Sequence, residues 1–107
     1  MSLLIIQAQA PQRSLAQDSY GVIATAAMLN QAVSVIYCGE GVRQLLDKAL
    51  VEQLQTAREF GVDKIYVCTE DCRRFSVDEN TLPKQFALQM LPNLEALISG
   101  SDKVLSF

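Results

Sequence analysis

The feature that most narrows what this chain can fold into is the succession of short apolar runs at residues 3–6, 33–37 and 65–68, interrupted only by Ser34 and separated by stretches of helical period. A strand with one wet face alternates apolar and polar residues, whereas a strand that is apolar throughout must be covered on both faces. Such strands alternating with helices are the pattern of a parallel sheet held between two helical layers. Two weaker runs, at residues 86–90 and 103–107, complete the set. The expected fold class is therefore α/β: a three-layer, mostly parallel five-stranded sheet with helices on both faces.

Between the strands the helices can be placed from their punctuation. Pro11 marks a loop, and Ser14 with Gln17 three residues on reads as a capping box. A helix is expected over residues 15–30, with Leu15, Val22, Ile23, Ala26 and Leu29 as its packing stripe. A second is expected over residues 42–60, with Leu46, Leu50, Leu54 and Ala57 turned to the core. Gly41 and Gly61 bracket it, the latter as a glycine just past the helix end. Pro92 can open a short helix over residues 92–99, closed by Gly100. With 107 residues, no internal repeat and no linker, one domain over residues 1–107 is expected.

Half of the residues are hydrophobic and a fifth charged, an apolar balance whose excess suits a covered subunit interface. The net charge of −3, with no basic cluster beyond Arg73 and Arg74, argues against a direct grip on nucleic acid. The opening apolar run has no basic segment before it and stops at Gln7, so neither a signal peptide nor a membrane span is expected. Cys38, Cys68 and Cys72 cannot all pair within one chain, which points to reduced thiols and a cytoplasmic setting. Without histidine, a zinc site would need all three thiols and a carboxylate, and no metal or cofactor is expected. The same lack removes the base of a hydrolase triad. Gln7, Ala8, Gln9 and Ala10 stand where a phosphoacceptor domain needs acids, and neither a Gly-x-Gly-x-x-Gly turn nor a Gly-Lys-Ser/Thr loop occurs. Thiol chemistry or no chemistry remains.

Reactive groups in open parallel sheets collect beyond the carboxyl ends of the strands, and Cys38 and Cys68 both fall there. Cys68 has two readings. One is a nucleophile opening a short helix, its thiolate or persulfide stabilised by free backbone N–H groups, with Arg73 and Arg74 adding positive charge. The other is a small apolar residue completing a buried strand. Glu70 and Asp71 oppose a low thiol pKa unless they point to solvent. Cys72, four residues on, would face the same way as Cys68 if the segment is helical and could then act as an accessory thiol; packing is its plainer explanation. Cys38 is expected to serve packing.

The segment Glu40, Gly41, Val42, Arg43, Gln44, Leu45, Leu46 resembles the turn and helix after the second strand in DsrE/DsrF-like proteins, nearest their DsrF/TusC type. Residues 65–68 with Arg73, Arg74, Val77 and Asp78 look like that family's third strand and cysteine segment. The closing Asp102, Lys103, Val104, Leu105, Ser106 and Phe107 look like its last strand. The resemblance implies a flavodoxin-like α/β domain that relays persulfide sulfur in tRNA 2-thiouridine synthesis or intracellular sulfur oxidation, as a persulfide sulfurtransferase. It puts the sulfur-carrying cysteine on Cys68. The partners it implies are further copies, as a homo-oligomer, or related DsrE/DsrH-like subunits, as a hetero-oligomer, together with persulfide donor and acceptor proteins. Two other classes stand beside it: a non-catalytic structural subunit of such a complex, and a small-ligand or nucleotide-binding module.

Overall fold

The computed structural model describes residues 2–29, 32–91 and 94–107. Five strands, β1 (Ser2–Gln7), β2 (Ala32–Tyr37), β3 (Lys64–Cys68), β4 (Leu88–Leu91) and β5 (Lys103–Ser106), form one sheet in the order β4-β3-β2-β1-β5. Every pairing is parallel. The expected three-layer α/β architecture is the observed one, and the fifth strand returns across the whole sheet to lie beside the first.

Handedness explains the layers. The chain steps in one direction from β1 to β4, through α1 (Ser14–Met28), a 3-10 helix (Gly39–Leu46), α2 (Lys48–Glu59) and α3 (Thr69–Arg74). Right-handed crossovers then put their apolar residues on one face of the sheet, where Tyr20, Ile23, Val42, Leu45, Leu54 and Phe86 join Leu3, Ile5, Val35, Tyr37 and Val67 in the main core. The return from β4 to β5 runs the opposite way and must cross the other face. There α4 (Glu95–Ser99) is flanked by Leu94 and carries Leu97, and both leucines rest on Leu4, Ile6, Ile36, Cys38, Tyr66 and Cys68. One face is therefore thickly covered and the other thinly.

Several helical details differ from the expectations. Ser14 is already the first residue of α1, with Arg13 at the cap position and no side-chain cap, so the Ser14/Gln17 capping box does not form. The core side of α1 is Ala16, Ser19, Tyr20, Ile23, Ala26 and Ala27, while Leu15, Val22 and Leu29 are exposed. The expected stripe had merged two faces. Alanines at 16 and 27 let the helix sit close to the sheet, and the larger residues, seven apart, line its outer side. The end of the expected helix at Asn30 lies outside the described residues, as does the start of the last helix at Pro92.

The single helix expected over residues 42–60 is two. Asp47 leaves helical geometry at φ −91°, ψ 114°, and its side chain accepts a hydrogen bond from the Leu50 amide at 3.1 Å, capping α2. The preceding 3-10 turn exposes Leu46 and buries Val42, Gln44 and Leu45 instead. Gly61 does close α2, at φ +121°, with its amide on the Arg58 carbonyl.

Candidate thiol site at the carboxyl edge of the sheet

Similar tetrapeptides lie at the two strand ends: Val35-Ile36-Tyr37-Cys38 runs one residue past β2, and Ile65-Tyr66-Val67-Cys68 closes β3. Their register pairs Ile36 with Tyr66 and Tyr37 with Val67. Cys38 keeps extended backbone, at φ −140° and ψ 169°, and its amide continues the ladder to the Gln7 carbonyl at 3.0 Å. One more step of the register sets Cys38 beside Cys68. Period-two alternation turns both side chains to the thinly covered face, where both are buried and free of disulfides.

Cys68 is also the residue that opens α3, and the backbone amides of Asp71 and Glu70 hydrogen-bond toward its sulfur. Burial pushes its thiol above the ordinary value. The Asp71 amide pulls it back, the Asp71 carboxylate pushes it up again by hydrogen bond and by charge, and the Glu70 amide opposes that. Asp71 is therefore turned toward the sulfur, not to solvent, while Glu70 is exposed. The carboxylate is anchored by the Gly39 amide at 2.7 Å and by the Arg74 guanidinium at 3.8 Å. This links the residue after Cys38 to the third residue after Cys68.

Cys72 does not join them. It is buried in the main core, with Val77 and Leu82, on the opposite side of the sheet from Cys68. The spacing of four brings side chains together only when both residues are helical, and Cys68 still has strand-like angles, φ −77° and ψ 114°. Burial first, then Glu79, Cys68 and Asp71, push the Cys72 thiol up to about 11. Arg73 lies with Cys72 along a depression of about 300 Å³ lined also by Thr69, Val77, Glu79 and Asn80. Arg74 serves Asp71, and its guanidinium also lies 6.0 Å from the Phe75 ring centroid. Of the residues singled out from sequence, then, Arg74 reaches the Cys68 neighbourhood through Asp71, and Cys72 and Arg73 form a separate group. Among the described residues no cluster of three or more cysteine or acidic side chains could hold a metal ion. No helix among them is long and apolar enough to cross a membrane.

Sequence reading passed over a buried polar chain on the main-core side. The Tyr20 hydroxyl donates to Gln44 Oε1 at 2.7 Å, and Gln44 Nε2 donates to the Gln9 carbonyl at 2.8 Å. Having spent its proton on Gln44, Tyr20 must accept from the Tyr37 hydroxyl, 2.9 Å away. Beside it, Gln7 Nε2 donates to Ser19 Oγ at 2.7 Å. Gln44 reads as a polar residue on a helix surface, and only the fold turns it inward.

Taken together, this sheet and its cysteine edge define a small parallel α/β protein with thiols at the carboxyl ends of adjacent strands. The sequence pattern of the DsrE/DsrF-like family matches residues 1–107, and the chain belongs to that family. It is similar in fold to the YchN protein of E. coli, with a TM-score of 0.81 at 16% identity over 100% of this chain and 99% of that one. A conserved protein of unknown function from Bacteroides thetaiotaomicron, BT1422, superimposes with a TM-score of 0.72 at 17% identity, over 99% of this chain and 94% of that one. No curated protein sequence matches the chain.

Proposed function

We propose that this chain, acting as one domain over residues 1–107, is a cytoplasmic sulfur-relay protein of the DsrF/TusC type. Cys68 accepts persulfide sulfur and passes it on, within tRNA 2-thiouridine synthesis or intracellular sulfur oxidation. The observation that carries the reading is Cys68 itself: a cysteine outside any disulfide at a strand's carboxyl end, with two backbone amides directed at its sulfur. A thiolate of Cys68 attacks the outer sulfur of a donor persulfide, expels the donor thiolate, and holds Cys–S–SH until an acceptor thiolate removes the outer sulfur. No resident cofactor is needed for that exchange.

Assembly with further copies or with related subunits belongs to the same proposal. It is supported by large apolar side chains left exposed on α1 (Leu15, Val22, Met28) and on the edge strand β5 (Val104, Leu105). A second reading, a structural subunit without chemistry, is favoured by the burial of Cys68 and the upward push on its thiol. Incubation with a persulfide donor, followed by peptide mass spectrometry of wild type and Cys68→Ser, separates the two. Sulfur added on Cys68 of the wild type supports the relay; sulfur only on Cys38 or Cys72, or on none, leaves the structural subunit.

A further inference from the structure

Cys38, one residue past the end of β2, and Cys68, the last residue of β3, continue the register of two parallel strands by one step beyond Tyr37 and Val67, and both lie in one apolar cluster. Adjacent strands lie about 4.8 Å apart, inside the Cα separation of about 4.4–6.8 Å that a disulfide spans. The flanking loops are tied together by the bond from the Gly39 amide to Asp71. Charge coupling between the thiols is felt at Cys38, whose thiol is pushed up to about 11 by burial first and then by Asp71 and Cys68.

We propose that Cys38 is a resolving thiol for Cys68, closing a Cys38–Cys68 disulfide on a loaded persulfide and releasing its outer sulfur as sulfide. This rests on the reading of Cys68 as the sulfur carrier. In the step, the Cys38 thiol gives its proton to water and its thiolate attacks the inner sulfur, Sγ of Cys68. The Sγ–Sγ bond forms, the bond to the outer sulfur breaks, and HS⁻ departs. The sulfane sulfur gains two electrons and the two cysteines together lose two, so the delivered sulfur is itself the oxidant. An external dithiol then reduces the disulfide and restores both thiols. Geometry selects the inner sulfur, because the strand spacing brings Cys38 to Sγ of its neighbour. A protonated Cys38 makes resolution slow near neutral pH, so an acceptor thiol that reaches the outer sulfur first receives it. The pair thus drains only persulfide that finds no acceptor.

Two measurements on the reduced full chain test this. Diamide, a thiol oxidant that carries no sulfur, should link Cys38 to Cys68 in peptide maps; linkage of Cys68 to Cys72, or no intramolecular linkage, overturns the pair whatever the relay does. The second loads wild type, Cys38→Ser and Cys38→Ala with a persulfide donor, removes the donor, and follows free sulfide and intact mass, with circular dichroism checking that each variant is folded. Wild type should release one sulfide per disulfide formed, and both variants should keep the extra sulfur on Cys68 with release slowed about tenfold or more. If the variants load sulfur yet release sulfide as fast as wild type, resolution by Cys38 is refuted while the relay stands. If Cys68 takes up no sulfur in any of the three, the relay reading fails and the resolving role falls with it.

Discussion

Replacing Gly41 by alanine should weaken the fold although the change adds one methyl group. A Cβ at this position would run into the Gln7 carbonyl and sit 3.0 Å from the Ala8 amide nitrogen, so the obstacle is the backbone at the end of β1 and not a side chain that can swing away. Relief requires the 3-10 turn to move off the sheet by about an ångström or more, an overpacking strain of about 1–3 kcal/mol. The movement also pulls at two bonds, the Cys38 amide on Gln7 and the Gly39 amide on the Asp71 carboxylate, the second of which is charge-assisted. Against this, alanine restricts the unfolded chain and returns about 0.4–1 kcal/mol. The net expectation is a loss of about 1–3 kcal/mol, read as a lower urea midpoint with unchanged slope. Gly21→Ala is the matched control: nothing lies within 4 Å of its Cβ position on α1, and the variant should gain about 0.5–1 kcal/mol from helix propensity. Urea titrations of the three proteins followed by far-UV circular dichroism decide it. A Gly41→Ala midpoint at or above that of wild type refutes the steric argument.

In the buried tyrosine chain, Tyr37→Phe should cost about 1 kcal/mol, because Tyr20 keeps its bond to Gln44. Tyr20→Phe should cost about 2–3 kcal/mol, because it strands both the Tyr37 hydroxyl and Gln44 Oε1; equal losses in denaturation would contradict the proton order. Alkaline stability should follow the thiols. Cys38 and Cys72 keep their protons to about 11, whereas in the unfolded chain thiols begin to ionise near their ordinary 9.0. The folded state then binds more protons in that window, and stability falls as pH rises through it. Tyr20 and Tyr37, both pushed upward by burial, add a fall of the same sign, so the readout is a shallower decline in Cys38→Ser and Cys72→Ser than in wild type. Light scattering of the purified chain should give a mass above the 11.8 kDa of one copy, and a mass at that value would remove self-assembly from the proposal.

Strand positions were legible in the sequence because burial on both faces writes a nearly continuous apolar run, and the first three strands lie where those runs are. The helix faces were not. Leu15, Val22 and Leu29 are as apolar as true core residues, and periodicity alone cannot say that Ala16, Ser19 and Ala27 win the core side by being small enough to approach the sheet. Asp47 looked like one polar residue on a long helix until its cap on Leu50 became visible. For the site, position within the strand was readable and position across strands was not. Helical spacing offered Cys72 as an accessory thiol beside Cys68, and that spacing fails where Cys68 is still strand; packing, the plainer explanation, agrees with its place in the main core. The similar tetrapeptides Val35-Ile36-Tyr37-Cys38 and Ile65-Tyr66-Val67-Cys68 carried the better signal: aligned with each other they give the observed register, Ile36 with Tyr66 and Tyr37 with Val67, whose next step sets Cys38 against Cys68.

That placement bears on how a buried thiol can exchange sulfur at all. The main-core face is covered by α1 and α2 and fastened by the tyrosine–glutamine chain, and exposing anything beneath it means breaking the fold's largest cluster. Over Cys38 and Cys68 the cover is the five-residue α4 with Leu94, Leu97 and Leu91, none of them fully buried. The strand that follows α4 is exposed along its whole length. Local opening costs least where few apolar contacts are lost, so displacing α4 should cost less than opening the main-core face. A donor or acceptor protein that docks against α4 would gain access to Cys68 by displacing two or three leucines, and could bury its own apolar surface in their place. If Cys68 carries persulfide as proposed, the same thin cover would close over it again once the partner left and keep the loaded sulfur from stray thiols in solution.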